Sequence, residues 1–157
     1  MQTWVDLKFA DGEYRFFLGP AQIHELEKKC DAGIGRIYGR TLAGRYGLNE
    51  GDILPEQADY RFAELIEVLR QALIGGGHCV VDGVAASVSS IRANELIQRY
   101  VLSQDDRIAM RTLWALAAGI LSALIEGYDP DPKAEPADEP ATSTNGSTTR
   151  ARSRTQQ

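Results

Sequence analysis

The fold is decided by the stretch VDLKFADGEYRFFL, residues 5–18, in which apolar and polar side chains alternate with a period of two. The positions that share one side of the chain are Val5, Leu7, Phe9, Tyr14, Phe16 and Leu18. Asp11-Gly12 interrupts the alternation with residues that tolerate a positive φ. The pattern predicts a β-hairpin with strands at Thr3 to Phe9 and Glu13 to Leu18 and with one strongly apolar face. Because an isolated hairpin is not stable in water, we expect helices to cover this face.

Five helical patterns follow the hairpin, each with apolar residues at the spacing of one helical face. They predict helices at about Pro20 to Cys30, Ile34 to Leu42, Tyr60 to Ile74, Ser90 to Leu102, and from a cap at Ser103 to Glu126. The fifth pattern has apolar residues around most of its circumference, which is typical of a central helix. We therefore expect the apolar face of the hairpin to pack on the first and fifth helices.

The third helix has the clearest amphipathic pattern. Asp59 is its predicted N-cap, and the apolar stripe is interpreted as core rather than as a groove for a partner helix. The opposite face carries Glu64, Glu67 and Arg70. Gly75-Gly76-Gly77 is interpreted as a helix stop, with a hinge as a second reading. These glycines lack the following Lys-Ser/Thr of a phosphate-binding loop.

Two segments lack a clear period. Gly44 to Ala58 contains three glycines, Pro55 and several acidic residues, which predicts a surface loop. Val80 to Val84 is a short apolar run around Asp82-Gly83, and this pattern fits either a small hairpin or an irregular loop. We predict a loop for this run.

Composition separates a body from a tail. Four of the six prolines lie in residues 129–157, where no apolar residue is larger than alanine, so this segment is predicted to be disordered. Its five acidic and four basic residues leave most of the net charge of −5 in the body, residues 1–128. The sequence therefore predicts one mainly α-helical α+β domain, with an N-terminal β-hairpin packed on a bundle of about five helices, followed by a disordered C-terminal tail.

The acidic body does not favour nucleic-acid binding, because affinity for phosphate backbones depends on positive charge. Cys30 and Cys79 are too few for a disulfide framework, and the chain opens without a signal-peptide pattern. The longest uncharged apolar run, Thr112 to Ile125, is shorter than the roughly 18 to 20 residues needed to cross a bilayer. We therefore expect a reduced, cytoplasmic protein that binds neither nucleic acid nor a membrane.

Residues that could carry chemistry are sparse. A zinc site would need His24, Cys30, His78 and Cys79 together, and their spacing fits no common zinc motif. His78 and Cys79 are neighbours whose side chains are not expected to face each other, and no third group orients them as a base and a nucleophile. We therefore predict no catalytic, cofactor-binding or metal-binding residues, and a protein that is not an enzyme.

Arg36, Arg40 and Arg45 form the one basic cluster of the body. Arg36 and Arg40 are expected to share a helix face beside Tyr38. This face is interpreted either as an ordinary solvated surface or as a contact for acidic stretches of a partner. Under the second interpretation, the predicted partner-binding residues are Arg36, Tyr38 and Arg40.

A succession of short segments carries a resemblance to a known family. The segments are Gly12-Glu13-Tyr14, Leu18-Gly19, Leu26-Glu27-Lys28-Lys29-Cys30-Asp31-Ala32-Gly33, Tyr38, Leu73-Ile74-Gly75-Gly76-Gly77 and Leu96-Ile97-Gln98-Arg99-Tyr100-Val101. In this order they resemble the small tail proteins of the gene-transfer-agent type, which are grouped with phage tail-assembly chaperones and are also labelled tail tube proteins. The resemblance covers about Val5 to Tyr128, and the loop from Gly44 to Ala58 is longer than the family pattern.

The resemblance implies a non-enzymatic protein made in the bacterial cytoplasm while a long phage tail or a tail-like particle is assembled. Chaperones of this family coat the tape measure protein, keep its long apolar helices soluble and give way to tail tube subunits. The implied partners are therefore the tape measure protein and the tail tube protein. Several copies of the chain, or a ring of them, would act on one client without nucleotide or metal.

Two alternatives to the chaperone stay open. A structural tail tube or tail terminator subunit would remain in the finished particle, and tube subunits line their lumen with a β-barrel of long strands. One predicted hairpin among five helices favours the chaperone over the tube subunit. A small DNA-binding regulator would need a basic recognition helix, which none of the predicted helices provides.

Overall fold

The computed structural model describes residues 1–46 and 52–130. The predicted disordered tail lies outside the described residues apart from Asp129 and Pro130, and so do residues 47–51 of the predicted loop. In the described part the chain folds as a mainly helical α+β protein, which confirms the predicted fold class. The strands are β1 Trp4–Phe9, β2 Gly12–Phe17, β3 Arg45–Tyr46, β4 Asp52–Ile53, β5 His78–Val81 and β6 Val84–Ser87. The helices are α1 Pro20–Cys30, α2 Ile34–Leu42, α3 Phe62–Gly76, α4 Ser90–Ile97 and α5 Met110–Glu126, with a 3₁₀ turn at Pro55–Gln57 and a π-helical turn at Gln98–Leu102.

Strands β1, β2, β5 and β6 form one antiparallel sheet in that order, and β3 pairs separately with β4. The predicted N-terminal hairpin is confirmed, with Trp4 opposite Phe17 and Phe9 opposite Gly12. Its loop is Ala10-Asp11, one position earlier than the Asp11-Gly12 signal suggested. Gly12 belongs to β2, where a Cβ atom would lie 2.4 Å from the carbonyl oxygen of Val80 on β5. This glycine is therefore required by the neighbouring strand and not by the turn.

Helix α3 packs against β2, α1, α4 and α5, and α5 packs against α3, α2, β1 and β2. The central position that was predicted for the fifth helix is therefore shared with α3. The apolar face of the hairpin packs on α3 and α5, whereas α1 lies against α3, so the predicted packing is right for the fifth helix and wrong for the first.

Two glycines explain why α3 approaches β2 so closely. A Cβ atom on Gly76 would lie 1.9 Å from the carbonyl oxygen of Arg15, and one on Gly75 would lie 2.1 Å from that of Phe17. Both glycines are helical residues that let α3 run directly against the backbone of β2. The predicted helix stop is provided by Gly77 alone, which caps α3 in the left-handed conformation with φ of 60°.

The segment Val80 to Val84, predicted as a loop, is a hairpin. Asp82 and Gly83 connect β5 to β6 with φ angles of 50° and 76°, and Val81 lies opposite Val84. Positive φ at both central residues is the mark of a type I′ turn, whose twist matches that of the strands. The loop prediction failed because the apolar run is too short to show a period, while the Asp-Gly pair alone carried the correct signal.

Three predicted helix starts can be compared with the structure. Helix α4 begins at Ser90 as predicted, and Ser89 caps it, since its hydroxyl oxygen accepts a hydrogen bond from the backbone N–H of Arg92 at 3.2 Å. Helix α3 begins after Arg61 rather than Asp59. Helix α5 begins at Met110 and not after Ser103, whose hydroxyl oxygen instead accepts from the N–H of Asp105 in a local turn that competes with the helix.

Candidate functional site

A groove runs beside α3, and we call it the charged groove. Its volume is about 520 Å³. Its apolar lining consists of Cys30, Ala63, Ile66 and Leu102, and its charged lining consists of Lys29, Arg61, Glu64, Glu67 and Arg70. Helices α1 and α3 and the π-helical turn contribute these side chains. The groove therefore places apolar surface and ion pairs side by side.

The local sequence of α3 sets the charged lining. Glu64, Glu67 and Arg70 are each three residues apart, so they follow one another along a single side of the helix. This side opposite the apolar stripe is largely covered: Glu64 is buried with 3% of its side chain exposed, and Glu67 and Arg70 are half-buried. The helical pattern alone does not show this, because the side chains that cover α3 here come from α1 and α2, far away in sequence.

Glu64 is held by a buried ion pair with Arg40 of α2. The Arg40 Nη2 donates to the Glu64 Oε1 at 2.5 Å, and only 10% of the Arg40 side chain is exposed. Arg61 lies farther out, with its Nη1 3.9 Å from the same oxygen. Removing one partner of a buried ion pair typically costs about 3–5 kcal/mol, because the other charge stays buried. Arg40 is therefore a structural residue of the groove.

Glu67 is the second carboxylate of the groove. It accepts a hydrogen bond from the guanidinium of Arg70, and its Oε2 lies 3.7 Å from the Nζ of Lys29 on α1. Burial lowers the pKa of Arg70 from its ordinary value. The ion pair of Lys29 and Glu67 joins α1 to α3 at the border of the groove.

Several buried polar atoms of this network have no hydrogen-bond partner among the described residues. They are the Nε atoms of Arg40 and Arg70 and the Oε2 atoms of Glu64 and Glu67. Two of these atoms are donors and two are acceptors, and an unmet buried group costs about 1–3 kcal/mol. All four atoms are shielded from solvent, so they belong to the interior of this network and not to its surface.

Cys30 contributes apolar surface to the groove rather than reactivity. Burial raises the pKa of its thiol, and the nearby carboxylate of Glu64 raises it further, while Arg40 and Lys29 oppose these effects. A thiol with a raised pKa stays protonated at neutral pH and behaves as a small hydrophobic side chain.

The structure does not bring the predicted binding residues Arg36, Tyr38 and Arg40 into one surface. Arg40 turns toward α3, whereas the hydroxyl of Tyr38 donates to the Oε1 of Glu126 at the end of α5, at 2.7 Å. This bond is the first cause of the raised pKa of Tyr38. Arg36 is exposed. Of the three, Arg36 is the residue whose replacement tests partner binding without disturbing an internal contact.

The third arginine of the predicted basic cluster also has an internal role. The guanidinium of Arg45 lies over the ring of Trp114, with 4.9 Å to the ring centroid. Trp114 also donates from Nε1 to the carbonyl oxygen of Thr41 at 2.6 Å and stacks with Tyr60. Burial lowers the pKa of Arg45, and Arg111 adds to this effect. These contacts fix the chain on both sides of residues 47–51 to α5.

The four residues considered for zinc binding are dispersed. His78 and Cys79 are successive residues of β5 and therefore project to opposite sides of the sheet. His24 is exposed on α1, and Cys30 lines the charged groove. Within residues 1–46 and 52–130, no group of three or more His, Cys, Asp or Glu side chains is placed to hold a metal ion. No described helix is long and apolar enough to span a membrane.

Comparisons of the chain with models of protein families, with curated proteins and with solved structures give no match.

Proposed function

We propose that the protein is a non-enzymatic tail-assembly chaperone, which binds the tape measure protein in the bacterial cytoplasm before tail tube subunits replace it. Two lines support this proposal. One is the resemblance of the segments between Val5 and Tyr128 to the gene-transfer-agent type of tail protein. The other is the charged groove, which has the properties of a site for a peptide helix.

The charged groove carries the structural part of the proposal. A client helix would lay its apolar stripe against Ala63 and Leu102, the exposed apolar residues of the groove, as amphipathic helices do in grooves of their partners. Polar groups at the edge of the client would meet the exposed cations of the groove, Lys29 and Arg61. Phe62 and Leu102, each 39% exposed, add apolar surface that a client could cover.

The proposed mechanism is reversible burial of the apolar helical surface of the client. A chaperone that later leaves needs only modest affinity per copy, and many copies along one extended client supply avidity. The alternative is a tail tube or terminator subunit that stays in the particle. Mass spectrometry of purified particles separates the two functions, because a tube subunit would be abundant there and a chaperone would be absent.

Co-expression with the tape measure protein of the same gene cluster tests the proposal. We expect this chain to keep the client in the soluble fraction and to co-elute with it in size-exclusion chromatography. If the client stays insoluble, or is soluble without this chain, the chaperone proposal is wrong.

A matched pair of variants tests the groove separately. Ala63 and Ala21 are both exposed and both occupy the second position of a helix, but only Ala63 lines the groove. Ala63→Glu places a charge that the client would have to desolvate, so recovery of the complex should fall by at least about tenfold. Ala21→Glu should leave recovery unchanged. Equal recovery with both variants would exclude the groove as the client site while leaving the chaperone function in place.

A further inference from the structure

Strand β6 is an open edge of the four-stranded sheet. It pairs with β5 on one side, and no strand of the described residues pairs with its other side. All four residues of β6 are exposed, and Val84 is 67% exposed. The sequence Val-Ala-Ala-Ser has no charge, no proline and no bulge, which are the usual means by which proteins protect an edge from pairing.

The hydrogen-bond pattern fixes which backbone groups face the open side. Val88, just after β6, donates its N–H to the carbonyl oxygen of Gly77 at 3.0 Å, in line with the ladder to β5. Backbone groups alternate along an antiparallel strand, so Val84 and Ala86 also bond toward β5. The N–H and C=O groups of Ala85 and Ser87 therefore point away from the sheet and are available to another strand.

We propose that β6 pairs with β6 of a second copy of this chain, antiparallel and around a two-fold axis. The outward backbone groups of the two copies meet only in registers where Ala85 and Ser87 occupy hydrogen-bonded positions. Of these registers, the one centred on β6 places Ala85 opposite Ser87 of the second copy. Ala86 then faces its own equivalent at the axis. This non-hydrogen-bonded position has the closest strand approach, about 4.5 Å between Cα atoms, and the small side chain of alanine suits it. The two sheets become one sheet of eight strands.

The residues on both sides of this centre complement each other. The register places the exposed Val84 opposite Val88 of the second copy, whose own side chain is 5% exposed and belongs to the core. Ile91, which is 71% exposed, lies three residues beyond Val88 in α4, so Val84 and Ile91 are exposed apolar residues on either side of the paired strands. The same register brings the turn that contains Asp82 toward the start of α4 in the second copy, where the helix dipole favours a carboxylate.

A second copy explains these features better than a foreign strand does. A self-paired strand of this sequence opposes no like charges, and its acidic end meets the positive end of a helix. The interface is small, since it consists of one strand and a few apolar contacts, so we expect a dimer that forms and dissociates with concentration. This inference is independent of the chaperone function, although a dimer would present two charged grooves to one client.

Sedimentation velocity of the full chain at rising concentration, without any client, tests the dimer. We expect the average mass to move from that of one chain toward that of two and to stop there. A constant monomer would overturn the proposal, and so would growth beyond two chains, because an open series points to pairing of β6 with the other sheet edge.

Charge pairing at the axis gives a sharper test. Ala86 is exposed, so Ala86→Lys and Ala86→Glu change the surface of the monomer and not its core. Each variant alone brings like charges together at the axis and should weaken self-association by at least about tenfold. An equal mixture of the two variants should recover a dimer that contains one copy of each. Failure of the mixture to associate, with both variants folded by circular dichroism, would exclude the two-fold pairing of β6.

Discussion

The two hairpins of the sheet are built alike and held in different ways. The first, β1 and β2, buries its inner face under α3 and α5, with Tyr14 and Phe16 almost fully buried. The second, β5 and β6, ends in a strand that is exposed along its whole length. The better-packed hairpin has the less favourable turn. The second hairpin has the favourable Asp82-Gly83 turn, while the first has Ala10 at φ of 55°.

This contrast shows that turn chemistry and burial substitute for each other. A non-glycine residue at positive φ costs about 1 kcal/mol or more, and the first hairpin tolerates it because packing stabilises the strands far more strongly. The second hairpin has little packing at β6, so its turn has to fix the register between β5 and β6. The predictions below perturb the two hairpins or the contacts that hold the first one in place.

The largest expected effect comes from truncating the buried face of the first hairpin. Phe16→Ala removes a side chain that is 1% exposed and contacts the ring of Phe9, so it should lower the free energy of unfolding by about 3–5 kcal/mol. Val84→Ala on β6 should change it by less than about 0.5 kcal/mol. Urea unfolding at a concentration where the chain is monomeric measures both. Similar losses for the two variants would show that β6 is buried in solution.

The next effect tests the contact between α3 and the first hairpin. Gly76→Ala forces a Cβ atom against the backbone of β2 and should destabilise the protein by about 3 kcal/mol. Gly39→Ala is the control, because Gly39 lies in α2 with no atom within 4 Å of the added Cβ. It should stabilise the protein by about 0.5–1 kcal/mol through helix propensity. A neutral Gly76→Ala in thermal unfolding would mean that α3 does not approach β2 so closely.

A third, smaller effect separates the two turns. Gly83→Ala meets no neighbouring atom, so its cost reports the positive φ alone and should be about 1 kcal/mol. Ala10→Gly should have the opposite sign, with a gain of up to about 1 kcal/mol as strain at φ of 55° is relieved. Chemical unfolding of both variants checks the signs. A loss of stability in Ala10→Gly would contradict the view that the first turn is strained.

The parts of the fold that could be predicted from sequence are those that local pattern determines. The first hairpin and the helix from Pro20 to Cys30 are confirmed, because an alternating run and a Pro start are readable within a few residues. The second hairpin was missed because four-residue strands leave no period to detect. The Asp82-Gly83 pair, which favours a tight hairpin turn, was the feature of the sequence that indicated this hairpin.

The rest depends on contacts between distant segments. The close approach of Gly75 and Gly76 to β2 is invisible in a helix pattern, which records only that glycine weakens a helix. Glu64 looks solvated beside Glu67 and Arg70, and its burial follows from Arg40, which comes from another helix. The charged groove could not be predicted because its lining comes from helices that are distant in sequence. The exposed position of Arg36, in contrast, agrees with the helical periodicity of its own segment.

The smallest effect is a pH dependence in the turn of the first hairpin. Tyr14 donates from its hydroxyl to the Oδ1 of Asp11 at 2.5 Å, and Arg92 donates to the Oδ2 at 3.0 Å. The hydrogen bond from Tyr14 is the main cause that lowers the pKa of Asp11, and Arg92 lowers it further. Burial and the same bond raise the pKa of Tyr14 to about 12.

The two pKa shifts predict losses of stability at opposite ends of the pH range. A lowered carboxyl pKa means that the bond stabilises the fold above the ordinary Asp value of 3.8 and is lost as the pH falls through the lower folded value. A raised tyrosine pKa means full stability below pH 10, lost as the pH rises toward 12. The acid effect should be small, because Asp11 is about one-third exposed and water screens the interaction. Thermal unfolding from pH 2.5 to 7 should show the wild type losing its advantage over Asp11→Asn as the pH falls, while an advantage that grows in acid would reverse the assigned sign.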